Sequence, residues 1–325
     1  MRKILIFNRL GIGDVVLTTP LAEIIKKTIT DVKIGYVVAD KAKDLLIKHD
    51  YIDEVFAYNK SNKKSVISEI KSKNYNEAII VDERLTSTLV AFKIGCKLLN
   101  KGFEITIGKK KIFKRNINNI NAIDDFKSYA KLITDKVYEN EVVPKIGHCD
   151  NDEKEKIDSW LSDIKTKTNK IVLVIAKTAF DNKNWSNKEL AKFNHYLNEQ
   201  GILPVYIGGP NDVSYIEKIP GDKLNIAGKF SMRALPYIAE AADLAVAMCT
   251  GPMHIIATTK IPIIALYGPS DPKRWAPRKA YVVQSTLECV PCLRWADCNK
   301  EQGKTCMDEI SFEKVRAVIE KNELL

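Results

Sequence analysis

The sequence contains no apolar run near the roughly 18 residues that would cross a bilayer as a helix. Its first residues pass straight into "MRKILIF", far too short a run for a secretory leader, so the expectation is a cytoplasmic protein. No G-x-x-x-x-G-K-[ST] phosphate loop occurs, and the nearest approach to a dinucleotide fingerprint, "GIGDVV", has Val16 where the third glycine belongs. Neither an aromatic RNA-binding motif nor zinc-finger spacing is present, so nucleic acid is not an expected partner despite a formal net charge of +10. Close internal repeats and low-complexity tracts are also lacking, which sets aside repeat arrays and disordered tails.

What the chain does have is a rhythm. Of its 325 residues 45% are hydrophobic, enough for a sizeable core, and the length favours two domains. Short β-rich runs, "KILIF" (3–7), "KIGYVV" (33–38), "EVFAY" (54–58) and "EAIIVD" (77–82), alternate with stretches such as "VVLTTPLAEIIKKT" whose apolar residues recur at helical spacing. A highly charged stretch near 140–170 interrupts the pattern. It restarts with "KIVLVIA" (170–176), "LPVYIGG" (203–209), "DLAVAM" (243–248), "IPIIALYG" (261–268) and "AYVVQ" (280–284). Such alternation predicts α/β architecture with parallel sheets covered on both faces. We expect two Rossmann-like domains, 1–160 and 161–325, with ligands bound in a cleft at the carboxyl ends of the strands.

The loop "FNRLGIGDVVLTTP" (7–20) places Gly11, Gly13 and Asp14 where the first strand should become the first helix. Two readings stand side by side. Asp14 caps the helix by accepting a backbone N–H bond. Alternatively it is a carboxylate kept ionised by the helix start and ready to accept a proton, with Gly11 and Gly13 clearing the approach of a ligand.

The second half supplies further motifs. "TGPMH" (250–254) follows the run "DLAVAM" and opens a helix, where free backbone N–H groups can hold a phosphate. Together with "RLGIGDVVLTTP", "DNKNWSNKELAKF" (181–193), "VYIGGPND" (205–212) and "GPSDPKRWAP" (268–277), it gives a chain that resembles the bacterial heptosyltransferase family, glycosyltransferase family nine, over nearly its whole length. The resemblance implies a GT-B fold, two facing Rossmann-like domains. It also implies inverting, metal-independent transfer of a sugar, typically a heptose, from an ADP-linked donor to a lipopolysaccharide inner-core acceptor. By the same resemblance Asp14 is the general base. The donor falls to Thr178, Lys183, Gly208, Gly209, Thr250, Gly251, Pro252, Met253 and His254. No cofactor is implied for the reaction.

Two places depart from the family pattern. Met248 and Cys249 stand where relatives usually carry Asn-Asp, and Arg233 stands where many have an acidic residue meeting the nucleotide ribose. The departures favour, as an alternative, a nucleotide-sugar-binding relative with altered donor specificity or little activity. Cys289, Cys292, Cys298 and Cys306 form C-x2-C-x5-C-x7-C. Four clustered thiols suggest structural zinc, but the spacing is looser than paired C-x2-C knuckles, so a metal-free structural element stays open beside it. The basic run "GKKKIFKR" (108–115) and the net charge suit an anionic, lipid-linked acceptor and a peripheral place on the inner membrane face. An ordinary exposed loop explains that run equally well.

Overall fold

Buried on both faces, "KILIF" becomes the centre of a five-stranded sheet whose ladders are all parallel. The computed structural model describes residues 1–99, 105–107, 110–113, 120–136, 138, 140–294, 298 and 305–325, which divide into two units, Met1–His148 and Cys149–Leu325.

In the first unit, β1 (Arg2–Asn8), β2 (Val32–Val38), β3 (Glu54–Ala57), β4 (Glu77–Ile80) and β5 (Lys97–Leu99) lie in the order β3-β2-β1-β4-β5. Helices α1 (Ile12–Thr28), α2 (Asp40–Lys43), α3 (Lys63–Ser72) and α4 (Leu85–Ile94) connect them. An antiparallel hairpin of β6 (Ile105–Ile107) and β7 (Lys110–Phe113) follows, then α5 (Ala122–Lys127). The basic run at 108–115 lies largely outside the described residues, with only the backbone of β7 within them.

The second unit begins with α6 (Asn151–Lys165). Its strands are β8 (Ile171–Ile175), β9 (Leu203–Tyr206), β10 (Leu224–Asn225), β11 (Leu244–Met248), β12 (Ile263–Tyr267) and β13 (Tyr281–Gln284), in the order β10-β9-β8-β11-β12-β13, again all parallel. Helices α7 (Asn187–Glu199), α8 (Val213–Glu217), α9 (Leu235–Glu240), α10 (Gly251–Ile256), α11 (Pro272–Trp275) and α12 (Phe312–Lys321) complete it.

Both orders are those of a doubly wound sheet. The winding reverses between β1 and β4 in one unit and between β8 and β11 in the other. Loops leaving the carboxyl ends of those strand pairs part in opposite directions, which opens a crevice in each unit.

The unit boundary falls at 148/149 rather than at 160. The charged helix α6 packs on the second unit: Trp160 meets Phe230 edge to face at 5.6 Å, the Tyr237 hydroxyl donates to Asp158 at 2.8 Å, and Ser231 donates to Glu153 through N at 2.6 Å and Oγ at 2.7 Å. The terminal helix α12 buries Phe312, Val315 and Ile319 in the core that holds Trp185 and Phe193. Its first amide, on Phe312, donates to Glu189 Oε2 at 2.6 Å.

Candidate active site

Asn8 ends β1 fully buried, and it organises the loop behind it. Its Nδ2 donates to the Asp14 carbonyl at 3.1 Å and to Thr18 Oγ1 at 2.6 Å, while its Oδ1 accepts from the Leu10 amide at 3.2 Å. The chain then enters α1 with Gly11 as N-cap, in ordinary extended geometry (φ −72°, ψ 167°). The Gly11 N–H donates to Asp14 Oδ2 at 3.1 Å. A Cβ on Gly11 would lie 3.1 Å from that same oxygen, so glycine here makes room for the carboxylate itself. The cap is therefore present. It does not displace the base reading, because a carboxylate held by N–H donors at a helix start is favoured in its charged form.

Beside this loop stands a second polar group that sequence reading missed. Asp82, two residues past the end of β4 and with its carboxylate out of solvent, accepts from the Arg9 amide at 3.2 Å, the Arg84 amide at 3.1 Å and Ser87 Oγ at 2.6 Å. The Arg9 guanidinium sits 3.5 Å from Asp82 Oδ2 and lies over the Tyr58 ring at 4.8 Å. Arg9 and Asp82 thus bridge β1 and β4 at the first crevice. The available signal was a polar residue immediately following a buried strand, at "FNR" and again at "IIVD".

In the second unit the loop after β8 is closed by Thr178. Its hydroxyl donates to the Phe180 carbonyl at 2.8 Å and accepts from the Phe180 amide at 3.2 Å, and its own amide donates to Asn184 Oδ1 at 2.8 Å. That hydroxyl shapes the loop that carries Lys183. Two residues on, Trp185 is fully buried, and its indole N–H donates to the Ile310 carbonyl at 2.5 Å, anchoring the end of the loop in the core.

Lys183 is half-buried, and burial pulls its ammonium below the ordinary lysine range, with the neighbouring Cys249 thiol acting weakly the other way. His254 is buried, and burial followed by repulsion from Lys183 pushes its imidazole down to about 4, so it is neutral at pH 7. Cys249 neighbours both Lys183 and Tyr267. Among the described residues, His254 Nδ1 and Ser270 Oγ are buried with no hydrogen-bond partner. Lys183, Cys249, His254, Tyr267 and Ser270 all belong to segments leaving β8, β11 and β12, at the second crevice.

The remaining predicted donor residues divide. Thr250 is the extended N-cap of α10, and Gly251 and Pro252 are half-buried in its first turn. Met253 is fully buried. Gly208 and Gly209 follow β9, which pairs with β8. A Cβ on Gly208 would come within 2.9 Å of Asp212 Cβ, and the Gly209 N–H donates to Asp212 Oδ2 at 2.8 Å. The glycine pair accommodates Asp212.

The two departures also separate. Met248 points into the core at 1% exposure, so Cys249 alone borders Lys183. Arg233 is buried and paired with Asp150 Oδ2 at 2.8 Å, where it joins α9's approach segment to the start of α6. Its charge is met within the unit.

The four late cysteines share one neighbourhood: burial, and then the other three thiols, push Cys306 up to about 11. Among the described residues no three or more His, Cys, Asp or Glu side chains are arranged to hold a metal ion. The segment also braces the crevice loops. A Cβ on Gly268 would strike Met307 Sδ at 2.6 Å and Cys306 Sγ at 2.8 Å. The Leu293 amide donates to the Pro269 carbonyl at 2.9 Å, and Asn182 Nδ2 to the Arg294 carbonyl at 3.0 Å. Elsewhere, a cavity of about 430 Å³ in the first unit is lined by Ile24, Asp124, Lys127, Lys131 and Tyr138 among others, and includes none of the predicted site residues.

Residues 64–302 match the family model described as Glycosyltransferase family 9 (heptosyltransferase). The chain is similar to lipopolysaccharide heptosyltransferase 1 of Campylobacter coli, at 24% identity over 82% of this chain and 84% of that one. Its fold is similar to that of the glycosyl transferase family 9 protein of Veillonella parvula (TM-score 0.79, 22% identity, 98% of this chain and 96% of that one). It is also similar to that of the ADP-heptose lps heptosyltransferase II of E. coli (TM-score 0.74, 17% identity, 99% and 100%). With two doubly wound units, a capped carboxylate after the first strand and a desolvated lysine beside a neutral histidine in the second unit, the chain belongs to glycosyltransferase family 9, the heptosyltransferase family, and is a glycosyltransferase.

Proposed function

We propose that the protein transfers a heptose from an ADP-linked donor to a saccharide of the lipopolysaccharide inner core, or to a related lipid-linked saccharide. The configuration at the anomeric carbon inverts, and no metal takes part. The observation that carries this reading is Asp14: a carboxylate at the third position of α1, held by the Gly11 amide on a loop that Asn8 locks in place. The acceptor hydroxyl gives its proton to Asp14, and the acceptor oxygen forms its bond to the anomeric carbon as the bond from that carbon to the diphosphate oxygen breaks. A positioned base of this kind contributes roughly 10²–10⁴ in rate.

The leaving diphosphate carries the developing negative charge. Lys183 and the backbone of the Thr250–His254 segment are the groups offered to it. A neutral His254 donates or accepts a hydrogen bond there without adding a second cation. Support for an ADP-heptose donor comes from the name of the E. coli relative, and for a lipopolysaccharide acceptor from those of the E. coli and C. coli relatives. A lipid-linked acceptor and a chain of net charge +10 support peripheral work at the inner face of the cytoplasmic membrane. Among the described residues no helix is long and apolar enough to cross a membrane.

One observation favours a second reading, altered donor choice: a thiol, Cys249, borders Lys183 where the family resemblance leads one to expect a carboxylate. Thermal shifts with ADP-heptose and with ADP-, UDP-, GDP- and CMP-hexoses, followed by transfer assays on extracted core acceptors, distinguish the two. A shift and turnover with ADP-heptose alone support the first reading. Preference for another nucleotide sugar supports the second, and no response to any of them overturns both.

A further inference from the structure

Helix α4 turns Val90, Ala91 and Ile94 into the core and leaves Leu85, Leu89 and Phe92 61%, 50% and 71% exposed. Their i, i+4, i+7 spacing puts the three on one face. The other large apolar side chains exposed among the described residues are scattered along the chain, as is ordinary for a soluble surface. Along the helix and its N-cap the charge has one sign. Arg84 is the N-cap, Lys93 lies in the last turn and Lys97 follows in β5, all three exposed, and the helix contains no acidic residue.

We infer that α4 docks the protein on a bilayer surface carrying anionic lipid headgroups, with Leu85, Leu89 and Phe92 entering the interface and Arg84, Lys93 and Lys97 meeting phosphates. An apolar stripe flanked by cations is the chemistry of an interfacial helix. A second copy of this chain fits less well, because a two-fold contact would set Arg84, Lys93 and Lys97 against their own images. The face is also tied to the site. Arg9, five residues before Asp14, donates from Nε to Ser87 Oγ at 2.9 Å and from Nη2 to the Thr86 hydroxyl, both in the first turn of α4. In return Arg84 Nη1 donates to the Arg9 carbonyl at 3.2 Å. A bilayer seated on α4 therefore rests on the element that anchors the Asp14 loop, as an acceptor held in the membrane by its lipid requires. The inference deepens the peripheral-membrane part of the proposed function and rests on it.

The test is co-sedimentation of the full chain with phosphatidylcholine vesicles and with vesicles containing phosphatidylglycerol, comparing wild type, Leu89→Ser/Phe92→Ser and Lys93→Gln/Lys97→Gln. We expect wild type to sediment with the anionic vesicles only. Each double variant should lose about tenfold or more of that partitioning. Lipid-free Tm should stay within about 2 °C, since exposed side chains away from packed features barely affect stability. Wild type failing to sediment with either vesicle overturns both the inference and the membrane part of the function. Variants that sediment like wild type overturn the inference alone. So does a lipid-free Tm that falls by more than about 4 °C, which would mean the face is packed against the chain itself. A wild-type dimer that the variants dissociate, with vesicle binding unchanged, assigns the face to a second copy. The ADP-heptose thermal shift, read on the same samples, judges the donor reading separately.

Discussion

The Gly11 amide and Asp14 Oδ2 are 3.1 Å apart, so the group proposed as the base is also the N-cap partner of α1. Structure and chemistry draw on one carboxylate. Substitutions that keep or remove its hydrogen-bond acceptor separate the two roles.

Asp14→Asn keeps an oxygen for the Gly11 amide but cannot take a proton from an acceptor. Transfer should fall by about 10² or more with Tm nearly unchanged. Asp14→Ala should lose as much activity and additionally about 1 kcal/mol of stability with the cap. Turnover assays and melting curves check both, and near-normal turnover in the asparagine variant would end the base assignment.

Lys183 holds a charge that burial disfavours. Lys183→Met should therefore leave the ligand-free protein as stable as before or slightly more so, since the desolvation penalty goes with the charge. Affinity for the nucleoside diphosphate should drop at least about tenfold, the scale of a lost charged hydrogen bond. Calorimetric titration with ADP and a melting curve are sufficient. Reduced stability with unchanged affinity would make Lys183 a structural residue.

Arg233 pairs with Asp150 at 2.8 Å while its own side chain is only 8% exposed and that of Asp150 is 42% exposed. Arg233→Ala should cost about 1–2 kcal/mol, a buried pairing moderated by solvent at the carboxylate. Donor affinity should not change. An affinity loss without a stability loss would put Arg233 at the nucleotide after all.

His49 and His254 are each pushed to about 4, chiefly by burial, from an ordinary value of 6.5. A folded value below the unfolded one means that their contribution is complete above about pH 6.5 and is lost as pH falls toward 4. Roughly 2–3 kcal/mol each is at stake by the bottom of that window. Tm should drop between pH 7 and pH 5, and His254→Gln should make the drop shallower. A flat profile over that interval would contradict the burial account.

Much of the fold was legible because buried parallel strands are written as short apolar runs, and the nine runs read from the sequence each became a strand. The strands β5, β6, β7 and β10 have no such run behind them. The division falls at 148/149 and not at 160 because α6, which reads as an exposed charged helix between linker-like ends, packs on the second unit through Trp160 and Phe230. For Asp14, the cap and the base were equally readable, and the coordinates add the cap bond without removing the base. Arg9 and Asp82 escape a reading of the sequence because they meet each other, and Arg9 meets Ser87, across more than 70 residues of chain. Gly208 and Gly209 read as space for a ligand or as a turn, and the fold adds that a side chain on Gly208 would meet Asp212.

By itself the amino-acid sequence determined the alternation of strands and helices, the two doubly wound units and the family, since periodicity and ordered motifs are local properties carried by neighbouring residues. Only the tertiary structure decided that Cys249 borders Lys183 while Met248 faces the core, that Arg233 belongs to Asp150, and that α4 shows Leu85, Leu89 and Phe92 to solvent. Those outcomes depend on which strands pair and which faces are covered. Pairing and coverage are set by contacts between segments far apart in the chain.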